Sequence, residues 1–262
     1  MRKLAIKQSL IALLLFGFGT VGFAQVNPPT PKAGHQLTED FIQQNQIYPE
    51  DDLQAGNKGM VVVAFHLDEK GNGSDYLVKE SFSEAANENA LDLVKKIIWN
   101  PATKNMLPME YDMEYEVEYN AKAYKRYWKK HEHIAIPLKL EVDDGYQIYE
   151  TRQLEEIAKP FFADGSNMAQ YILNNLKYPE AAKMSEVNGT VRLSFVVETN
   201  GNVSNIIVDR SVGAGCDNEA IRLLQDTHWI PAVKNGKYVR SHNMQDITFT
   251  IGSRNYQDGN SY

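Results

Sequence analysis

The sequence predicts an α+β protein made of two tandem small domains, each an antiparallel sheet packed against helices. The first observation is an internal repeat at an offset of 130 residues. Tyr48-Pro49-Glu50 answers Tyr178-Pro179-Glu180, Gly71-Asn72 answers Gly201-Asn202, Pro101-Ala102 answers Pro231-Ala232, and Trp99 answers Trp229. About twenty of the sixty-nine positions between 37 and 105 are identical to their counterparts, far more than average residue usage gives by chance. A period this long is domain-sized rather than solenoidal. The second observation is that each copy has two strand-like stretches joined by a Gly-Asn turn, Val- and Phe-rich over Gly59 to Leu67 and alternating over Val191 to Val197, and that Tyr111 to Tyr119 alternates apolar and acidic residues with the period of a strand. The third is a following segment in each copy whose apolar residues recur at helical spacing.

The first copy follows in order. Asn27 to His35, with Pro28, Pro29 and Pro31, reads as a short extended linker. Leu37 to Gln46 reads as a helix with Thr38 as its cap. Tyr48-Pro49 ends it, because a residue before proline avoids the α region, and Pro49 opens the next short helix. Gly59 to Leu67 is a Val- and Phe-rich strand, Glu69 to Asn72 a turn, and Tyr76 to Lys79 the returning strand. Asn87 to Ile98 is a helix with Ala90, Leu91, Val94 and Ile98 on one face, stopped by Trp99 and Pro101. Tyr111 to Tyr119 is the cleanest strand. Its odd positions are apolar or aromatic and its even positions are Asp112, Glu114, Glu116 and Glu118. Carboxylates two apart on a strand lie about 7 Å from one another, too sparse to cage a cation, so this face reads as solvated and as discouraging further pairing.

Ala121 to His133 is a basic, aromatic connector carrying Lys122, Lys125, Arg126, Lys129 and Lys130. It reads as a solvated linker helix that neutralises the preceding acidic strand, with a lipid-headgroup or nucleic-acid contact as the alternatives. His131 and His133 alone make no metal site. Ile134 to Val142 reads as an edge strand and Asp143-Asp144-Gly145 as a boundary turn. In the second copy, Gln147 to Phe162 leads in, Asn167 to Leu176 is an amphipathic helix, and Pro179 to Ser185 a short one. Val191 to Val197 and Val203 to Asp209 form a hairpin through Thr199 to Asn202. Asp217 is expected to cap a helix reaching Asp226, Asn235-Gly236 makes a hairpin turn, and Gln245 to Ile251 is the last strand.

Composition limits function. Net charge is −7, so nucleic acid is not a favoured partner. Cys216 is the single cysteine and Ala86 stands at its matching position, so no intrachain disulfide forms and the thiol reads as packed. Arg2, Lys3 and Lys7 precede an apolar run from Leu10 to Phe18, with Gly22 and Ala24 set for cleavage before Gln25: a secretory leader over 1–24. The boundaries expected are leader 1–24, linker 25–35, first domain 36–120, connector 121–145, second domain 146–254 and tail 255–262. There is no nucleophile motif, ligand cluster or phosphate loop, and Gly213-Ala214-Gly215 reads as a plain loop. The expectation is a non-enzyme without catalytic residues, metal or cofactor.

On the residues NLKYPEAA (175–182), NGTVRLSFVVETNGNVSN (188–205) and DNEAIRLLQDTHWIPAVKNGK (217–237), the chain resembles the C-terminal domain of the TonB family. The resemblance covers about 147–252, and 36–119 looks like a diverged copy. It implies protein binding in the periplasm: the family domain adds a short extended segment of an outer-membrane receptor, the TonB box, to its sheet. Carried over, the partner-binding residues are Asn174, Asn175, Lys177, Tyr178 and Pro179, with the edge strand Ile247, Thr248, Phe249, Thr250 and Ile251. The second copy is expected to accept partners and the first to be a spacer or homodimer element. The alternative is a membrane-anchored energy transducer. That role needs an uncleaved inner-membrane anchor and a long proline-rich spacer, and here the apolar run is short and the proline segment small.

Overall fold

The computed structural model describes residues 25–129 and 136–251. The expected leader, the His131 and His133 pair and the tail lie outside these. The first copy begins with two short strands, β1 (Val26–Asn27) and β2 (Thr30–Pro31), before helix α1 (His35–Asn45) and helix α2 (Glu50–Ala55). Strands β3 (Lys58–Leu67) and β4 (Gly73–Glu80) form the hairpin, and α3 (Glu84–Lys96) follows. Short strands β5 (Trp99–Asn100), β6 (Ala102–Lys104) and β7 (Leu107–Met109) lead to β8 (Tyr111–Asn120) and helix α4 (Ala121–Trp128).

The second copy runs in the same order. A 3-10 turn (Thr151–Gln153) precedes β9 (Lys159–Phe161), α5 (Met168–Asn175) and α6 (Glu180–Met184). The hairpin is β10 (Gly189–Val197) and β11 (Val203–Arg210), followed by α7 (Cys216–Gln225). Strands β12 (His228–Ile230), β13 (Ala232–Lys234) and β14 (Lys237–Val239) lead to β15 (Ser241–Phe249).

Each copy has a three-stranded antiparallel sheet of the same order, β4-β3-β8 and β11-β10-β15. The register repeats as well: Val61 faces Val117 as Val191 faces Ile247. The inward row of the central strand, Val61, Val63, Phe65 and Leu67, is matched by Val191, Leu193, Phe195 and Val197, and all eight are buried. They pack on the apolar faces of α3 (Ala86, Ala90, Leu93, Val94) and α7 (Cys216, Ala220, Leu223, Leu224). Full burial of such a side chain contributes about 1.5–3 kcal/mol, so the two cores carry the fold. Gly71 and Gly201 close the hairpins at φ of +83° and +82°, and a Cβ at either would lie 2.3 Å from the carbonyl oxygen of Trp99 or Trp229. Only glycine fits there.

Several expectations are corrected. Thr38 does not cap α1: Gly34 does, and the Thr38 hydroxyl donates to the Gly34 carbonyl from inside the first turn. Helix α3 starts at Glu84 because the Ser83 side chain accepts from the Ala86 amide. Asp217 does not cap α7. It lies in the first turn, and its carboxylate reaches back to the amides of Val212 and Gly213 and the Ser211 hydroxyl, pinning a loop with φ of +78°, +51° and +88° at Gly213, Ala214 and Gly215. The Pro-containing stretch after Gln25 is not a free linker. Thr30 and Pro31 pair with Asn100 and Trp99, as Pro160 and Phe161 pair with Trp229 and His228. The repeat therefore includes its lead-in, and Trp99 and Trp229 are strand residues rather than helix stops. No strand forms over 136–141; Val142 makes a single parallel bridge to Tyr238. The last strand ends at Phe249, which leaves Thr250 and Ile251 beyond it.

The copies are joined by a polar interface. The Asn205 amide donates to the Lys96 carbonyl (3.0 Å) and its oxygen accepts from the Ile98 amide (2.9 Å). Asn200 and Asn202 both donate to the Asn45 side-chain oxygen at 2.8 Å. Arg240, buried against Glu198, donates to the Lys96 carbonyl at 3.0 Å and to the Tyr146 carbonyl at 2.7 Å. Helix α1 packs against β11, and Leu37 joins the second core. One edge of the second sheet is thereby covered by the first copy.

Candidate functional site

The site is built around β15, the other edge of the second sheet. Backbone N–H and C=O groups alternate between the two sides of a strand. The Arg240 carbonyl accepts from the Tyr149 amide, and the His242 amide donates to the Tyr149 carbonyl, both at 3.0 Å. Even-numbered residues thus turn their backbone groups outward, away from β10. The lead-in of the second copy, through Tyr149, occupies this outer side at Arg240 and His242. Met244, Asp246 and Thr248 continue the outward row, and among the described residues no strand lies beside them. The Asp246 carbonyl accepts from the Gln245 side chain at 2.8 Å, a contact that a flexible exposed amide gives up readily.

The side chains on this edge are mild. Met244, Asp246 and Thr248 are exposed. Thr248 meets the Thr190 hydroxyl at 3.0 Å. Asp246 takes two hydrogen bonds from Arg192, both 2.7 Å, with Arg210 at 3.9 Å, so its charge is spoken for. The Arg192 hydrogen bond foremost holds the Asp246 carboxyl below the usual carboxylate range. On β8, the matching strand, the outward residues are Asp112, Glu114, Glu116 and Glu118. His66 bonds Asp112 at 2.9 Å and Lys79 pairs with Glu114. The Asp112 hydrogen bond foremost raises His66 above the ordinary histidine value. The Glu118 carbonyl is also capped by the Gln46 amide at 2.8 Å. Position 46 corresponds to Leu176, which has no side-chain amide to give.

The expected site residues divide. Tyr178 comes together with the strand: its ring meets Phe249 edge-on at 5.7 Å, and its hydroxyl donates to the Val187 carbonyl. Tyr48 does the same with Asn57 and Tyr119. Pro179 is the N-cap of α6. Asn174 is exposed on the last turn of α5. Asn175 and Lys177 are held by their backbones, through Arg222 to the Asn175 carbonyl (2.8 Å) and the Lys177 amide to Glu219 (2.6 Å). Ile247 and Phe249 bury their side chains in the core, so neither offers a side chain to a partner. Ile251 is tied by its amide to Asn188 at 2.7 Å. Sequence reasoning missed Met244, Asp246 and Leu176. The alternation of β15 carries the first two, and the repeat offset from Gln46 carries the third.

Among the described residues, no group of three or more His, Cys, Asp or Glu could hold a metal ion, and no helix is long and apolar enough to cross a membrane. The arrangement defines a class first: a duplicated α+β domain whose second sheet, among the described residues, has no strand beside Met244, Asp246 and Thr248 of β15. Compared with known proteins, the chain matches the family described as Gram-negative bacterial TonB protein C-terminal over residues 44–121 and again over 174–251. These stretches make up more than half of the chain, and the protein belongs to this family. Among solved structures it is similar to the TonB C-terminal domain of Helicobacter pylori, with 20% identity over 32% of this chain and 89% of that one and a TM-score of 0.26. It is also similar to that of Pseudomonas aeruginosa, with 22% identity over 41% and 97% and a TM-score of 0.28. No curated protein matches the chain.

Proposed function

We propose that this is a non-enzymatic, periplasmic TonB-like protein that binds envelope proteins, TonB-dependent outer-membrane transporters among them, by taking up an extended segment beside β15. The observation that supports this best is the open backbone row of Met244, Asp246 and Thr248 on an edge without unpaired charge. Strand addition draws its affinity from such a row. In this reading residues 146–254 are the binding domain. Residues 36–120 are a diverged copy whose edge is closed by carboxylates and by Gln46, leaving it a spacer or homodimer element. The segment Asn174, Asn175, Lys177, Tyr178 and Pro179 flanks the end of the docked strand. Thr250 and Ile251 lie just past the end of this track, and Ile247 and Phe249 hold the edge strand to the core.

The reading as an adaptor, rather than an inner-membrane energy transducer, gains support from β1. Val26 already pairs with Lys104, so in the sequence only residues 19–25 stand between the apolar run and the first paired strand, far short of a long proline-rich spacer. The test is titration of a synthetic TonB-box peptide into the protein, followed by backbone NMR. Shifts are expected at Met244, Asp246 and Thr248. Thr248→Pro is expected to keep the fold, since proline is tolerated where the N–H faces solvent, and to abolish binding. Shifts confined to β8, or undiminished binding to Thr248→Pro, would overturn the proposal.

A further inference from the structure

Helix α4 carries a feature the strand-addition reading does not use. Lys122, Lys125, Arg126 and Lys129 recur at i, i+3, i+4 and i+7, which places them on one stripe. At a rise of about 1.5 Å per residue the stripe is about 10 Å long. All four are exposed, and no acidic residue lies between Ala121 and Lys130. None makes an ion pair or side-chain hydrogen bond with a described residue. The expectation that this helix neutralises β8 is therefore not met: His66 and Lys79 serve that strand instead.

The opposite side of the helix is committed to the fold. Ala121 is buried, Tyr124 meets Tyr48 at 5.4 Å, and Trp128 lies 6.2 Å from Tyr124 and 5.1 Å from Tyr127. Burial foremost, with the charges of Asp40 and Asp226 adding to it, raises the Tyr127 hydroxyl above the ordinary tyrosine value. The helix cannot turn over to insert an apolar face, so its stripe is a fixed, flat set of cations facing solvent. The chain as a whole carries −7, which makes the local segregation of charge sharper.

We propose that the α4 stripe docks the protein on an anionic phospholipid surface. Magnitudes decide against a second copy of the chain as the occupant. On β8 only Glu116 and Glu118 remain outside the pairs with His66 and Lys79. Each exposed ion pair shifts an equilibrium by about fivefold at most, and two such pairs do not offset the freedom lost on association. A charged bilayer presents anions continuously. Each Lys or Arg near it adds about a fivefold gain, so four multiply partitioning by several hundred. The contact is electrostatic and screened by salt.

Residues from 25 onward contain both cores and every described strand and helix, so the chain 25–262 is the unit to test. Its binding to phosphatidylglycerol–phosphatidylcholine vesicles is measured by co-sedimentation beside pure phosphatidylcholine vesicles. Binding is expected on the anionic vesicles alone, to be lost at high salt, and to fall at least a hundredfold in the combined variant Lys122→Gln, Lys125→Gln, Arg126→Gln and Lys129→Gln. Near-ultraviolet circular dichroism and binding of the TonB-box peptide report that the variant is folded. Equal binding to neutral vesicles, or binding unchanged in the variant, would overturn the assignment. So would a salt-sensitive dimer, lost in the variant, without vesicle binding; that result would give the stripe to a second copy.

Discussion

Tyr178 does two things at once. Its ring packs on Phe249 at the end of β15, and its hydroxyl holds the turn before β10 through Val187. Because Tyr48 repeats the arrangement, the hydroxyl is a device of the fold in both copies. Tyr178→Phe is expected to lower stability by about 1 kcal/mol, the usual contribution of one hydrogen bond, and to leave peptide affinity within twofold. Denaturant titration beside calorimetric binding separates the two effects. Asp246 gives a pH signature. Its pKa is depressed, so its contribution is present above the ordinary carboxylate range and is lost as pH falls through the folded value. Both partners are nearly half exposed, which keeps the pair within the small range of surface ion pairs. Asp246→Asn is expected to lower the urea midpoint slightly at neutral pH, with the difference shrinking as pH falls below the usual aspartate range and through the depressed folded value.

At the scale of elements, the alternating strands were legible because one face of each is buried, and burial writes a period of two into the sequence. The helices were legible for the same reason, while their starts were not. The Ser83 cap and the Gly34 and Gly215 starts depend on which local side chain wins a backbone amide, and several candidates stood within a turn of one another. The short strands β5 to β7 and β12 to β14 left no periodicity, since two or three residues cannot display one, and only the Asn235-Gly236 turn between β13 and β14 was legible. The difference between the edges was half legible. The carboxylates of β8 are plain in the sequence. The amide of Gln46 on the Glu118 carbonyl is a contact across 72 residues and leaves no local trace. Its counterpart yields a prediction: Leu176→Gln places an amide where it can cap the Thr248 carbonyl. Peptide affinity is expected to fall about tenfold, somewhat beyond the net worth of one hydrogen bond, while far-ultraviolet circular dichroism stays unchanged. Unaltered affinity would place the docking strand elsewhere.

Across the whole molecule, the repeat told of two domains but not of their union. Three of the residues that join them are ones in which the copies differ, although Asn45 and Asn202 are shared with their counterparts. Asp68 and Glu110 stand where the second copy has Glu198 and Arg240, and Asp75 stands where it has Asn205. Glu198 and Arg240 are almost wholly buried, at 1% and 2% exposure, and Arg240 also reaches Lys96 in the first copy. A buried pair of this kind is weak support for stability as a pair, yet losing one partner strands a charge. Arg240→Met is therefore expected to cost about 3–5 kcal/mol, and adding Glu198→Leu to recover most of it. Because Asn205 and Leu37 also tie the copies, calorimetry of the native chain is expected to show one transition. Asn205→Gly keeps the left-handed backbone at φ +50° while removing both bonds to Lys96 and Ile98. That variant is expected to split the transition in two. A single peak that merely moves to lower temperature would mean that α1 on β11, rather than Asn205, makes the two copies unfold as one.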